Sequence, residues 1–218
     1  MSLADALLNY THLYLRFNLG RDFDAQHPVW QDYLRGLDQA DDLVEWTYQI
    51  YLRQLPPDDT TQTASDRTFG CFSYGVWAEG QIRLHFHNDD PPGFGPLSKA
   101  RMPNRLHELR QLFAHVQTHV KNPTSVVGGS WLYNLNAYRR LFPPAFLATA
   151  SVGDDDWQFL ALWGQFVDRN GDVKHEMSEP FLKCLDAQTT LDGVKRCFLY
   201  QVLRLECPVE PFYELYQI

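Results

Sequence analysis

Gln81-Ile82-Arg83-Leu84-His85-Phe86-His87 is followed by Asn88-Asp89-Asp90-Pro91-Pro92-Gly93-Phe94-Gly95-Pro96 and, after an amphipathic run, by Thr124-Ser125-Val126-Val127-Gly128-Gly129-Ser130-Trp131. The first piece alternates. Ile82, Leu84 and Phe86 fall on one face of a strand, and Gln81, Arg83, His85 and His87 on the other. The Pro/Gly cluster ends it as a loop. Residues 104–121 then carry Leu106, Leu109, Phe113, Val116 and Val120 at helical spacing, as far as Pro123. Thr124 to Val127 reads as a short β-branched strand and Gly128-Gly129 as the turn after it. Ser130 is an N-cap for a helix bearing Trp131, Leu135, Tyr138 and Leu141, stopped by Pro143-Pro144. A strand, loop, helix, strand, loop, helix order predicts a parallel crossover. Ligands in such sheets sit at the carboxyl ends of the strands, where both glycine loops fall. The other account of Gly93, Gly95, Gly128 and Gly129 is tight turns alone.

Upstream, Thr68 to Trp77 is a strand joined to the first one by Ala78-Glu79-Gly80. Before it the period is helical. Leu3, Leu7, Leu8, Tyr10 and Leu13 mark one helix, Pro28 opens a second, and a third runs over residues 41–55. The polar tract between Leu55 and Arg67 has no periodicity. The chain therefore divides into a helical N-terminal cap (1–55), a linker (56–66) and a mixed α+β domain (67–218). Downstream, residues 157–168 are apolar on both faces and read as a central strand. Asn170-Gly171 turns it into a short partner strand, and helices follow over residues 180–186 and 192–204.

The 218 residues suffice for one sizeable core, and 44% apolar with 21% charged residues is globular composition. A formal charge of −8, with no basic run longer than Arg139-Arg140, argues against nucleic acid as a partner. The N-terminus lacks a basic leader and no apolar stretch reaches spanning length, so a cytoplasmic protein without a membrane segment is expected. Cys71, Cys184, Cys197 and Cys207 have no paired spacing and are expected as free thiols.

His85 and His87 share a strand face, and His115 and His119 lie at i, i+4 on a helix, both spacings that metals use. At 100° per residue His119 flanks the apolar stripe, whereas His115 falls roughly 120° from its centre, toward solvent. No carboxylate completes a ligand motif, so these are read as surface histidines and no metal is expected. The stretch 168–172 lacks the ligand spacing of a calcium loop. Gly129-Ser130-Trp131-Leu132 lacks the second glycine of a nucleophile elbow.

The stretch from Gln81 to Phe142 resembles the GNAT-type acyltransferase fold. It is similar in particular to a little-characterised bacterial family with a helical N-terminal part, through Leu84-His85-Phe86-His87, Gly95-Pro96-Leu97 and Gly129-Ser130-Trp131-Leu132. Asn136-Ala137-Tyr138-Arg139-Arg140-Leu141-Phe142 resembles the helix that often supplies that fold's tyrosine acid. The resemblance implies acyl-CoA as cofactor, held by Gly93, Gly95, Gly128, Gly129 and Ser130. It implies His85 or His87 as base and Tyr138 or Tyr133 as acid. The superfamily's [RQ]-x-x-G-x-[GA] phosphate loop is absent, and Asp89 and Asp90 stand before the glycines, where their charge would oppose a pyrophosphate. The alternative is a non-catalytic GNAT-like scaffold that binds a protein or small molecule through an aromatic surface.

Overall fold

The computed structural model describes residues 2–20, 22–55, 67–88, 90, 95–153, 160–168 and 171–218. The expected linker, Asp89, Gly93, Trp157 and Asn170 lie outside the described residues. The chain divides into two units, one from Met1–Thr60 with Gln158–Gly164, the other from Thr61–Trp157 with Gln165–Ile218.

Local signals set the helical unit. In α1 (Leu3–Thr11) Ser2 and Asp5 form a reciprocal capping box, and those bonds hold the Asp5 carboxyl below its ordinary pKa. In α2 (Pro28–Leu37) Pro28 occupies the first turn, where a missing N–H costs nothing. Asp42 caps α3 (Leu43–Gln54) by accepting from the Val44 and Glu45 N–H groups. Leu13, Phe17, Trp30, Tyr33 and Ile50 form the buried centre of this unit. Trp46 Nε1 donates to the Tyr33 carbonyl at 3.0 Å, joining α3 to α2.

The second unit is built on a six-stranded sheet among the described residues. Its strands are β1 (Thr68–Phe69), β2 (Phe72–Val76), β3 (Ile82–Phe86), β4 (Ser125–Ser130), β5 (Ser151–Val152) and β6 (Leu203–Pro208), in the order β1-β2-β3-β4-β6-β5. Every neighbouring pair is antiparallel except β3–β4, which is the expected parallel crossover through α4 (Met102–His119). The mixed α+β class is thus confirmed. Phe72, Tyr74, Ile82, Leu84, Val126, Leu205 and Cys207 point into a core closed by α4, α5 (Asn136–Arg139), α6 (Pro144–Leu147) and a C-terminal helix at Glu210–Tyr216. Phe113 and Phe212 stack there at 4.6 Å.

Three expectations are corrected. Gly128 and Gly129 lie inside β4, paired with Leu205 and Arg204, and do not form a turn after it. Ser130 does cap, its Oγ accepting from the Leu132 N–H at 3.1 Å, but it opens a 3-10 turn at Trp131–Asn134 that α5 follows separately. The expected central strand at 157–168 is helical from Leu160 to Phe166, as α7 (Leu160–Trp163) and a 3-10 turn at Gly164–Phe166. Leu160, Ala161 and Leu162 are good helix formers, and an apolar run alone does not separate a buried strand from a buried helix. Trp163 Nε1 donates to the Tyr10 carbonyl at 3.0 Å, which ties α7 into the helical unit. What survives of the hairpin is the single bridge Val167–Val173, with Gly171 at φ +90°.

After this turn come α8 (His175–Leu185) and α9 (Leu191–Cys197), joined by a Cys184–Cys197 disulfide with Cα atoms 5.4 Å apart. Four free thiols were expected, yet two helices packed side by side bring these residues together. Cys71 and Cys207 are free and buried. Phe166, Phe181 and Phe198 pack at this end with centroids 4.8–5.8 Å apart. Buried Gln165 bonds both the N–H and the carbonyl of Tyr200.

Candidate functional site

The helices α4, α5 and α6 and the C-terminal helix pack on one face of the sheet. Alternation therefore sends Ser73, Gly75, Arg83, His85, His87, Val127 and Gly129 to the opposite, open face. His85, His87, Gly129, Arg204 and Glu206 are exposed there. His87 Nε2 lies 2.7 Å from Ser73 Oγ, and the Arg83 guanidinium sits 4.3 Å from the Trp77 ring centre. Partial burial, then the charge of Arg83 and the neighbouring His87, hold the His85 pKa below the ordinary imidazole value.

The parallel ladder between β3 and β4 is short. It pairs Ile82 with Val126 and Arg83 with Val127 and then ends, while both strands run on. Glu206 Oε1 accepts from Gln81 Nε2 at 2.9 Å and from Ser125 Oγ at 2.7 Å, pinning the strands at the end where they are joined. Residues 84–86 remain paired only to β2, and residues 128–130 only to β6. The strands thus part, with two backbone edges facing each other and Gly129 on the open face. A Cβ at Gly129 would meet nothing within 4 Å.

Beyond the parting, α4 begins. Arg105, 1% exposed, donates to Asp90 Oδ1 at 3.0 Å and pairs with Glu108 Oε1 at 2.9 Å. Arg101 Nε lies 3.7 Å from Asp90 Oδ2. The charge of Asp90, expected to oppose a phosphate, is thus matched by two guanidiniums. Glu108 also accepts from the Cys71 N–H at 3.2 Å, and burial raises its pKa despite the Arg105 charge. Gly95 starts a turn closed by the Ser98 N–H, and Arg140 Nη2 donates to the Leu97 carbonyl at 2.8 Å, linking α5 to this loop. Among the described residues Ser98 Oγ, Asp90 Oδ2, Arg101 Nε, Arg105 Nε and Nη1 and Arg140 Nε are buried here without a hydrogen-bond partner, Arg101 Nε and Asp90 Oδ2 meeting only as an ion pair. Ser98 and Arg101 were not singled out from sequence, although a Ser and an Arg at the start of a helix are the available signal.

Tyr133 and Tyr138, expected as acids, lie in the core, each 2% exposed and hydrogen-bonded to the other. The Tyr138 ring is packed among Phe142 at 4.9 Å, Tyr133 at 5.0 Å and Phe86 at 5.5 Å. Burial drives both phenols well above their ordinary pKa. Neither hydroxyl is placed to meet a ligand on the open face. Gly128 is needed for this packing, since a Cβ there would collide with the Tyr133 hydroxyl and reach Phe146. Trp131 stacks on Tyr200 at 6.0 Å.

The four histidines do not converge. His85 and His87 are on the open face, whereas His115 accompanies α4 on the other, its Nδ1 2.8 Å from the Tyr74 hydroxyl. His115 is half-buried beside Phe69 and Tyr74, and His119 is the exposed one, the reverse of the helical-wheel expectation. The wheel placed the apolar stripe without β1 and β2, which flank α4 on the His115 side. Among the described residues no three His, Cys, Asp or Glu side chains are grouped to hold a metal, and no helix is long and apolar enough to cross a membrane.

The helical unit holds a feature the sequence reading missed, an apolar cavity of about 610 Å³ among α1, α2, α3 and Leu160. Its signal was α3, where Leu43, Val44 and Tyr48 place apolar side chains outside a single stripe. No protein-family model, curated protein or solved structure matches this chain.

Proposed function

We propose that the sheet unit is a GNAT-like acyltransferase that binds an acyl-CoA along the parting of β3 and β4 and passes the acyl group to an amine. The observation that carries this reading is the end of the parallel ladder at Arg83–Val127 while both strands continue. An acyl-CoA supplies an acyl group activated as a thioester. The facing edges at 84–86 and 128–130 offer backbone N–H groups that can hold a carbonyl oxygen and polarise it. Ser98 Oγ, buried without a hydrogen-bond partner just before α4, can donate to a phosphate oxygen, beside the Arg101 guanidinium that pairs with Asp90. His85, neutral at pH 7 by its lowered pKa, accepts the proton of the incoming amine. Tyr133 and Tyr138 take no part.

The test is thiol release from acetyl-CoA with a panel of primary amines. His85→Gln should leave acetyl-CoA binding unchanged and lower turnover about 10²–10⁴-fold. Equal turnover in the variant would remove the base. A second reading, a non-catalytic scaffold of the same fold, is favoured by the burial of both candidate acids. Binding of acetyl-CoA with no amine releasing thiol would establish it.

A further inference from the structure

The cavity of the helical unit is independent of the sheet, and its chemistry specifies a ligand. At about 610 Å³ it falls within the usual range of small-molecule sites. Three of its lining hydroxyls, those of Thr11, Tyr33 and Thr47, are already committed. Thr11 Oγ1 donates to the Leu7 carbonyl at 2.5 Å and Thr47 Oγ1 to the Leu43 carbonyl at 2.7 Å, while the Tyr33 hydroxyl lies 3.0 Å from Thr47 Oγ1. The remaining wall is dominated by aliphatic side chains such as Leu7, Leu13 and Leu37. Apart from the Tyr48 and Tyr51 hydroxyls, a guest's body therefore finds apolar surface, and a strongly polar body would lose water without full replacement. The rim differs. Among the described lining residues Arg16 is the one charged group, it is exposed, and no acidic residue lines the cavity. Around the opening Leu3, Val44 and Tyr48 are 52%, 79% and 52% exposed, an apolar border that water disfavours.

We propose that this open apolar groove binds an aliphatic monocarboxylate, its chain along Leu7, Leu37, Leu43 and Leu160 and its carboxylate at Arg16. One anionic end on an otherwise featureless chain matches one cation on an otherwise apolar wall. An acyl-CoA, with its polar adenine and phosphates, is not the occupant.

The whole delipidated chain is titrated with 11-(dansylamino)undecanoic acid, and the probe is displaced by hexanoate, decanoate, dodecanoate and methyl dodecanoate, each below its aggregation concentration. Affinity should rise about two- to fourfold per methylene from hexanoate to dodecanoate. Dodecanoate should bind about fivefold tighter than its methyl ester. Arg16→Gln, at an exposed position, should abolish the preference for the acid and leave the ester's affinity unchanged. CoA should displace nothing, even where it binds the sheet unit. Failure of every carboxylate to displace the probe, or equal binding of acid and ester by the wild type, overturns the proposal.

Discussion

Alanine at Gly128 and at Gly129 should act in opposite directions, although the two residues are neighbours in one strand. At Gly128 the added methyl points into the core, onto the Tyr133 hydroxyl and Phe146. Neither glycine has a positive φ, so the contrast is steric and not conformational. Overpacking of this kind costs about 1–3 kcal/mol, and displacing the Tyr133 hydroxyl from Tyr138 adds about 1 kcal/mol. Gly128→Ala is therefore expected to lose about 2–4 kcal/mol. At Gly129 the methyl enters open space, and alanine limits the unfolded chain more than glycine does. Gly129→Ala should gain about 0.5 kcal/mol. Tyr133→Phe removes the atom that the methyl added at position 128 strikes. Combined with Gly128→Ala it should show a favourable coupling of about 1 kcal/mol. Urea unfolding at 25 °C, followed by far-ultraviolet circular dichroism and tryptophan fluorescence, measures the wild type and the four variants. Effects at 128 and 129 within about 0.5 kcal/mol of each other would refute the packing described for β4, and would suit the free glycine turn expected from sequence.

Other outcomes follow from the same geometry. Arg105→Met leaves Asp90 and Glu108 facing each other in a buried site and should destabilise by about 3–5 kcal/mol in thermal or urea unfolding. Tyr138→Phe should cost about 1 kcal/mol of stability and leave acyl-transfer rates unchanged. Because the folded-state pKa of His85 is lowered, the unfolded chain binds more protons between that value and about 6.5, so stability rises with pH across this window. His85→Gln should flatten that rise in unfolding experiments run from pH 5 to 8. Peptide mapping without reduction should link Cys184 to Cys197 and find Cys71 and Cys207 as thiols. Cys184→Ser should cost about 3 kcal/mol for a loop of this length.

Much of the scaffold is legible where its cause is local. Apolar spacing marks the first and third helices, Pro28 opens the second, and the alternation of Ile82, Leu84 and Phe86 gives β3 its faces. The parallel crossover follows from a helix set between two strands. What escapes the sequence depends on distant partners. Gly128-Gly129 looks like a strand end because glycine weakens strands, but Tyr133 needs the missing side chain. Tyr138 at helical spacing fits a cleft wall as well as a core, and only Phe86 and Phe142 decide it. His115 is held by Tyr74, 41 residues earlier. The Cys184–Cys197 pair has no spacing signature, because the turn between α8 and α9 creates it. Of the site, His85 and the parallel neighbourhood of β3 and β4 were visible, whereas the parting of those strands and the neutralisation of Asp90 by Arg101 and Arg105 were not.

The central claim is that the parted edges of β3 and β4 receive an acyl-CoA. Calorimetric titration of acetyl-CoA into the wild type and into Gly129→Val tests it most directly, since a side chain at 129 meets open space in the fold and would stand on the ligand's path. The wild type should bind with a dissociation constant between about 1 μM and 1 mM, the span usual for enzyme substrates. The valine variant, folded by circular dichroism, should give no binding heat. An absence of heat with the folded wild type, or equal binding by the variant, would contradict the claim.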